Sequence, residues 1–131
     1  MQTILNYSAE LLILSFLSIT FIMSFYDKVS DWKGQILFLK QYFSKTFLVN
    51  LIPPILVFVV LLEALIVVFS VLGIYQLITF QVKLYAHITC LLSCILLLIF
   101  LLGQRIAKDF DGARNITIYF IVAVFGAYLL Q

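Results

Sequence analysis

The sequence predicts an all-α membrane protein: a four-transmembrane-helix bundle with an amphipathic interfacial helix between helices 1 and 2. Three observations lead there. The 131-residue chain is 65% hydrophobic and only 11% charged, with a mean hydropathy of +1.21. A soluble domain is about half apolar and about a quarter charged, so the solvent that suits this chain is lipid. Apolar runs recur four times, each near the ~20 residues a helix needs to cross ~30 Å of hydrocarbon. One stretch between them sets aromatic and aliphatic residues at helical spacing against lysines.

The first span covers about 7–26, broken only by small hydroxyl residues and by Glu10 near its start, at headgroup depth. It carries no Lys or Arg and no small-residue cleavage site, so it reads as a retained membrane helix and not a signal peptide. The second covers about 51–75, with Pro53 and Pro54 in the first turn, where the missing N–H would be unpaired anyway. The third covers about 82–103 and the fourth about 114–130. The strictly apolar part of the fourth is short, so it borrows Arg114 to Thr117 and leans on its neighbours. No internal repeat, low-complexity tract or linker divides residues 1–131, which read as one membrane domain.

The connections differ in character. Between spans one and two, Trp32, Ile36, Leu39, Phe43 and Phe47 recur at spacings of 4, 3, 4 and 4, one face of a helix over about 32–47. Lys33, Lys40, Gln41, Ser44 and Lys45 fill much of the remainder. Such a helix suits the membrane interface, and it can equally cover one end of the bundle. The link 76–81 is short and ties spans two and three into a hairpin. The link GQRIAKDFDGARN is polar and reads as a solvated helix end with a turn at Gly112. In it Arg105 and Asp109 form an i,i+4 pair if the third helix continues outward.

Seven of the eight basic residues lie in the first and third links, and only Lys83 lies on the other side. The positive-inside rule therefore makes links one and three cytoplasmic and both termini outward-facing, which is periplasmic if the membrane is the expected bacterial inner membrane. A net charge of +2 with dispersed basic residues excludes a nucleic-acid partner. Lipid bilayer and other membrane subunits are the expected partners.

Glu63 stands alone among the apolar residues of LVFVVLLEALIVVF, residues 56–69. Measured from Leu51 it lies ~18 Å along its helix, close to mid-bilayer. An ionised carboxylate there costs at least a few kcal/mol, so it must face the bundle interior with a partner or a proton. It is either a proton-handling group, an anchor for a quinone or lipid head, or a hydrogen-bonded helix tie. Ser15, Ser18, Thr20, Ser93 and Tyr119 have polar atoms at better depth, whereas Lys28 and Arg105 begin their loops near the cytoplasmic face and can only snorkel inward over a long reach.

Other chemistry is sparse. Cys90 and Cys94, four apart in one apolar run, are packing residues, because helix geometry disfavours a disulfide between them. His87 is the only histidine, so bis-histidine haem and metal sites are not expected. No hydrolytic triad, phosphate-cradling glycine loop or catalytic carboxylate pair appears. Ala123, Gly126 and Ala127 allow close helix approach, within the bundle or against a partner.

Taken in order, SFYDKVSDW, FLKQYF, IPP, LLEALIVVF and VLGIY resemble the DoxX family of small four-helix membrane proteins, over most of the chain from about Ser24 to Leu130. The pattern carries over at Lys28, Pro54, Glu63, Leu72 and Gly73. It departs where Ser24, Phe25 and Tyr26 replace a glycine before the lysine, where Val67 replaces a small residue, and where Gln76 follows the LG turn without a basic residue. The resemblance implies a four-helix bundle with a loop helix after span one. It also implies association with thiosulfate:quinone oxidoreduction or membrane-anchored redox complexes.

Two functions follow as expectations. One is a redox- or quinone-linked membrane subunit in which Glu63 and Lys28 line a polar pocket, with Tyr119 a further candidate for ligand binding or proton handling. The other is a non-catalytic accessory subunit that stabilises a larger complex. A lipid-handling or transport role is a weaker third. The chain alone binds no complete cofactor, and quinone or lipid is the expected ligand class.

Overall fold

A computed structural model describes residues 2–131. Six helices follow one another: α1 (Gln2–Asn6), α2 (Ser8–Ser30), α3 (Trp32–Tyr42), α4 (Ile52–Phe80), α5 (Leu84–Ile106) and α6 (Phe110–Leu130), with a 3-10 turn at Phe47–Leu51 leading into α4. Among the described residues there is no strand. Four helices, α2, α4 with its preceding turn, α5 and α6, are long and apolar enough to cross a membrane. They pack in the ring order α2–α4–α5–α6, with α6 closing back onto α2. Large apolar side chains such as Leu12, Phe58, Leu65, Leu98 and Phe125 remain exposed around the outside. A surface of that kind needs lipid and not water as its solvent. The chain is an integral membrane protein.

The spans are longer than apolarity alone suggests. α2 runs on to Ser30, carrying Asp27 and Lys28 as helical residues, and Lys28 sits in the last turn where a cation suits the helix dipole. α4 has 29 residues and continues to Phe80, so the link to α5 is only 81–83, turned by Gln81 in the left-handed region at φ 56°. α6 begins at Phe110 because the Asp109 side chain accepts a 2.9 Å hydrogen bond from the Gly112 amide. Its 21 residues span ~32 Å, so the helix takes in Arg114 to Thr117 and extends beyond them to Phe110.

That cap also reorganises the third link. α5 stops at Ile106, so the i,i+4 pair between Arg105 and Asp109 does not form; the Arg105 guanidinium lies 5.0 Å from the Phe110 ring centroid instead. Gly112 is not a turn residue but part of the first turn of α6, where a Cβ would sit 2.3 Å from the Asp109 carboxylate.

The helix after span one is shorter than its periodicity predicts. α3 ends at Tyr42, and Thr46 caps the 3-10 turn by accepting from the Leu48 amide. Trp32, Ile36 and Leu39 on α3, with Phe43 at its cap, are half-buried toward the bundle, while Lys33 and Lys40 are exposed. Phe47 falls beyond the helix end and is 73% exposed. Its 4-residue spacing from Phe43 no longer means a shared face once the helix has stopped.

Inside the bundle, α4 buries Ile52, Leu56, Val59, Glu63, Ile66, Ser70, Gly73 and Leu77, alternating steps of four and three, the seam of a left-handed helix pair. Leu14, Leu17 and Phe21 of α2 and Leu96 and Leu97 of α5 fill the core beside it. Buried Ser70, Thr89 and Ser93 donate to backbone carbonyls one turn back. Leu72 and Gly73 lie within α4 and make no turn; a Cβ at Gly73 would stand 2.7 Å from the Ala86 backbone nitrogen of α5. On α6, Ala123 and Gly126 are buried and Ala127 is half-buried, and a Cβ at Gly126 would meet Ile13 at 2.7 Å and Cys90 Sγ at 2.9 Å. Cys90 is buried in the core and Cys94 half-buried, both free thiols.

Candidate functional site

Glu63 is placed inside by the α4 seam, and its side chain is fully buried. Its partners come from the last two turns of α2. Ser24 Oγ donates to Glu63 Oε1 at 2.9 Å, and Lys28 Nζ donates to the same oxygen at 3.1 Å. Lys28 Nζ also donates to Ser24 Oγ and lies 3.5 Å from the Ser24 carbonyl oxygen. Its ammonium is 5.7 Å from the centroid of the Phe100 ring of α5. Glu63 Oε2 has no hydrogen-bond partner among the described residues.

Lys28, which from its sequence position must snorkel inward over some distance, does reach Glu63, and the reason is geometric. Lys28 is a helical residue, and side chains on a helix lean toward its N-terminus. The N-terminus of α2 is at the opposite end of the bundle, so the lysine stem folds back over Ser24, one turn earlier, and carries the ammonium inward. Ser24 matters as much. It bridges the pair by donating to the carboxylate while accepting from the ammonium, a role no reading of the sequence assigned to it.

The other candidates lie elsewhere. The Tyr119 ring stacks on Phe16, with centroids 5.7 Å apart. Ser93 bonds to the Thr89 carbonyl, Ser15 is exposed, and the buried Ser18 Oγ has no partner among the described residues. His87 stays half-buried near the start of α5, and no group of three or more His, Cys, Asp or Glu side chains gathers among the described residues.

Lys28 also forms the inner end of a cleft of about 940 Å³ bounded by α3, the 3-10 turn, α4 and α5. Aromatic rings from four elements line it, Phe38, Tyr42 and Phe43 from α3 and its cap, Phe47 from the 3-10 turn, Phe58 from α4 and Phe100 from α5. Ser24 and Glu63 are not part of the lining; the cleft reaches the ammonium and the carboxylate stands behind it. No protein-family model, curated protein or solved structure matches the chain.

At the outer end of the cleft the Tyr42 hydroxyl donates to Asp109 Oδ2 at 2.6 Å, tying α3 to the cap of α6. Burial, then the hydrogen bond to Asp109 and its charge, push the Tyr42 phenol above its ordinary range. The same hydrogen bond, followed by that from the Gly112 amide, holds the Asp109 carboxyl below its usual range. Tyr42 and Asp109 stand 67 residues apart and carry no local motif, so nothing in the sequence pairs them.

Chemically, the inner cluster is an ion pair compensated inside the bundle. Its lysine lines the apolar cleft and its carboxylate does not. That arrangement can bind and orient a polar atom at the end of an apolar molecule.

Proposed function

We propose that this chain is a DoxX-like integral membrane subunit linked to a redox or quinone-dependent complex of the bacterial inner membrane. The observation that carries the reading is the meeting of Lys28 and Glu63 at 3.1 Å. Both residues belong to the pattern that resembles the DoxX family, and 35 positions of sequence separate them. A buried pair is retained at a desolvation penalty of several kcal/mol per ion, and apolar residues would stabilise the bundle as well or better. Its position at the end of an apolar cleft gives it a use as a polar anchor. The electron-transferring cofactor belongs to a partner protein, and this chain contributes the membrane-side binding element.

In this reading links one and three face the cytoplasm, and α3 lies at that interface, with Lys33 and Lys40 turned to solvent and Leu37 and Phe38 toward lipid. The alternative is a non-catalytic accessory subunit, a reading that rests on the lack of a complete cofactor set in the sequence; the small face of α6 adds little to it, since Gly126 packs against Ile13 and Cys90 of the same bundle.

The test is extraction from native membranes in mild detergent, followed by identification of the co-purifying proteins and of bound quinone. The expected result is a redox enzyme subunit in constant proportion, with quinone that Glu63→Gln loses. Co-purification with no redox protein, or a quinone content indifferent to Glu63→Gln, contradicts the reading.

A further inference from the structure

We infer that the cleft beneath α3 is a binding site for a neutral amphiphile that presents a carbonyl oxygen to the Lys28 ammonium. The inference deepens the reading above and rests on the same pair. Four properties of the cleft define the ligand.

Size comes first. About 940 Å³ sits at the upper end of the range of small-molecule pockets, ~300–1,000 Å³. It exceeds what one water or a small ion needs. The second property is the source. Phe38, Phe47, Phe58 and Leu102 all line the cleft and are all exposed, so its mouth is apolar and turned toward the membrane. A molecule dissolved in the bilayer reaches it without crossing a polar surface.

The third property is charge. Lys28 is the only cation in the lining, and its charge is matched by Glu63 at 3.1 Å. The remaining ionisable groups of the lining are Asp109 and Tyr42, bonded to each other at the outer end. An anionic head seated at Lys28 would find no uncompensated positive charge there, because Glu63 already matches it. A cationic head would meet Lys28. The neutral head alone avoids leaving a buried charge unmatched.

The fourth is the hydrogen-bonding sense. An ammonium has three N–H donors and no acceptor. The Glu63 carboxylate and the Ser24 hydroxyl take two of them, the third makes only a long 3.5 Å contact to the Ser24 carbonyl, and of these residues Lys28 alone lines the cleft. Its side chain is 16% exposed, so an acceptor entering from that side can take over the long contact. The ligand atom it recognises is therefore an acceptor, and a carbonyl oxygen fits it, with two lone pairs and no proton of its own that would be left unpaired in an apolar site. A quinone ring and the ester of a neutral glycerolipid share that chemistry.

The experiment titrates the full chain in detergent, by calorimetry, with three probes: decylubiquinone, dioctanoylglycerol and dioctanoyl phosphatidate. Two variants accompany it. Leu39→Trp fills the cleft from α3, outside the bundle core. Lys28→Met/Glu63→Gln removes the donor and leaves no stranded charge. A neutral probe should bind, phosphatidate should bind at least about tenfold more weakly, and each variant should weaken the neutral probe by about tenfold or more, the scale of one charge-assisted hydrogen bond or a blocked site. Preference for decylubiquinone assigns the source as a quinone, and preference for dioctanoylglycerol as a glycerolipid. Tighter binding of phosphatidate, no binding of either neutral probe, or binding that both variants leave unchanged overturns the inference. Probe binding does not depend on which proteins co-purify. A missing redox partner with intact probe binding defeats the proposed function alone, and the converse defeats this inference alone.

Discussion

The Lys28 ammonium lies 3.1 Å from the Glu63 carboxylate, inside the bundle, with Ser24 bonded to both. The relationship explains how a carboxylate is tolerated so deep in an apolar helix. Neither charge has to be solvated by lipid, because each supplies the other's counter-charge and Ser24 supplies a further donor and acceptor. The arrangement depends on α2 remaining helical through Ser30. Were the helix to end at Tyr26, Lys28 would sit in a loop and Glu63 would lose its partner.

Two glycines set how closely the helices approach, and they should respond differently to a methyl group. At Gly73 the obstacle is the Ala86 backbone, 2.7 Å from the new carbon. At Gly126 the obstacles are the Ile13 and Cys90 side chains, at 2.7 and 2.9 Å. Side chains can rotate away and a helix backbone cannot. Gly73→Ala should therefore cost about 2–3 kcal/mol and Gly126→Ala about 1 kcal/mol, within the range of overpacked cores. Thermal unfolding in detergent checks the order, and a larger loss for Gly126→Ala would refute it.

The Tyr42–Asp109 contact predicts a particular acid response. The Asp109 carboxyl is held below its ordinary value of 3.8 in the folded protein, chiefly by the Tyr42 hydroxyl and next by the Gly112 amide. The folded state thus binds fewer protons than the unfolded one in that window. Its contribution is complete above the ordinary value and is lost as pH falls through the folded value. Wild type should melt above Asp109→Asn at pH 7, and the gap should close below about pH 4. Tyr42→Phe should narrow the gap at neutral pH by removing the larger of the two causes. A gap that stays constant into acid would show that the contact has no part in it.

The orientation has its own test in Ser44, an exposed residue between α3 and the 3-10 turn. With Cys90 and Cys94 replaced, Ser44→Cys should resist a membrane-impermeant thiol reagent in intact cells and react after lysis. Labelling in intact cells would place links one and three outside.

Much of this architecture is legible in the sequence. Four apolar runs and a short loop helix are fixed by composition and by the spacing of Trp32, Ile36, Leu39 and Phe43. The seam of α4 is harder to read, because every face of that helix is apolar and no periodicity stands out. Only Glu63, Ser70 and Gly73, at steps of seven and three, mark the buried side. The contact between Lys28 and Glu63 is hard to read because a helix does not end where its apolar run ends. Polar residues continue α2 for another turn, and the inward lean of helical side chains then brings Lys28 to the carboxylate. The start of α6 is hard to read in the same way, since the Asp109 cap makes helix out of a stretch whose charges read as loop. The Tyr42–Asp109 contact depends wholly on tertiary packing.

The most direct test of the Lys28–Glu63 pair is a double-mutant cycle by reversible unfolding in mixed micelles, using Lys28→Met, Glu63→Leu and both together. Each single variant leaves one buried charge without its partner and should lose about 3 kcal/mol, while the double variant should lose much less than the sum, because replacing both members of a buried pair by apolar residues is near neutral. Losses that simply add would mean that the two side chains act independently, and the account of the site built on their contact would be wrong.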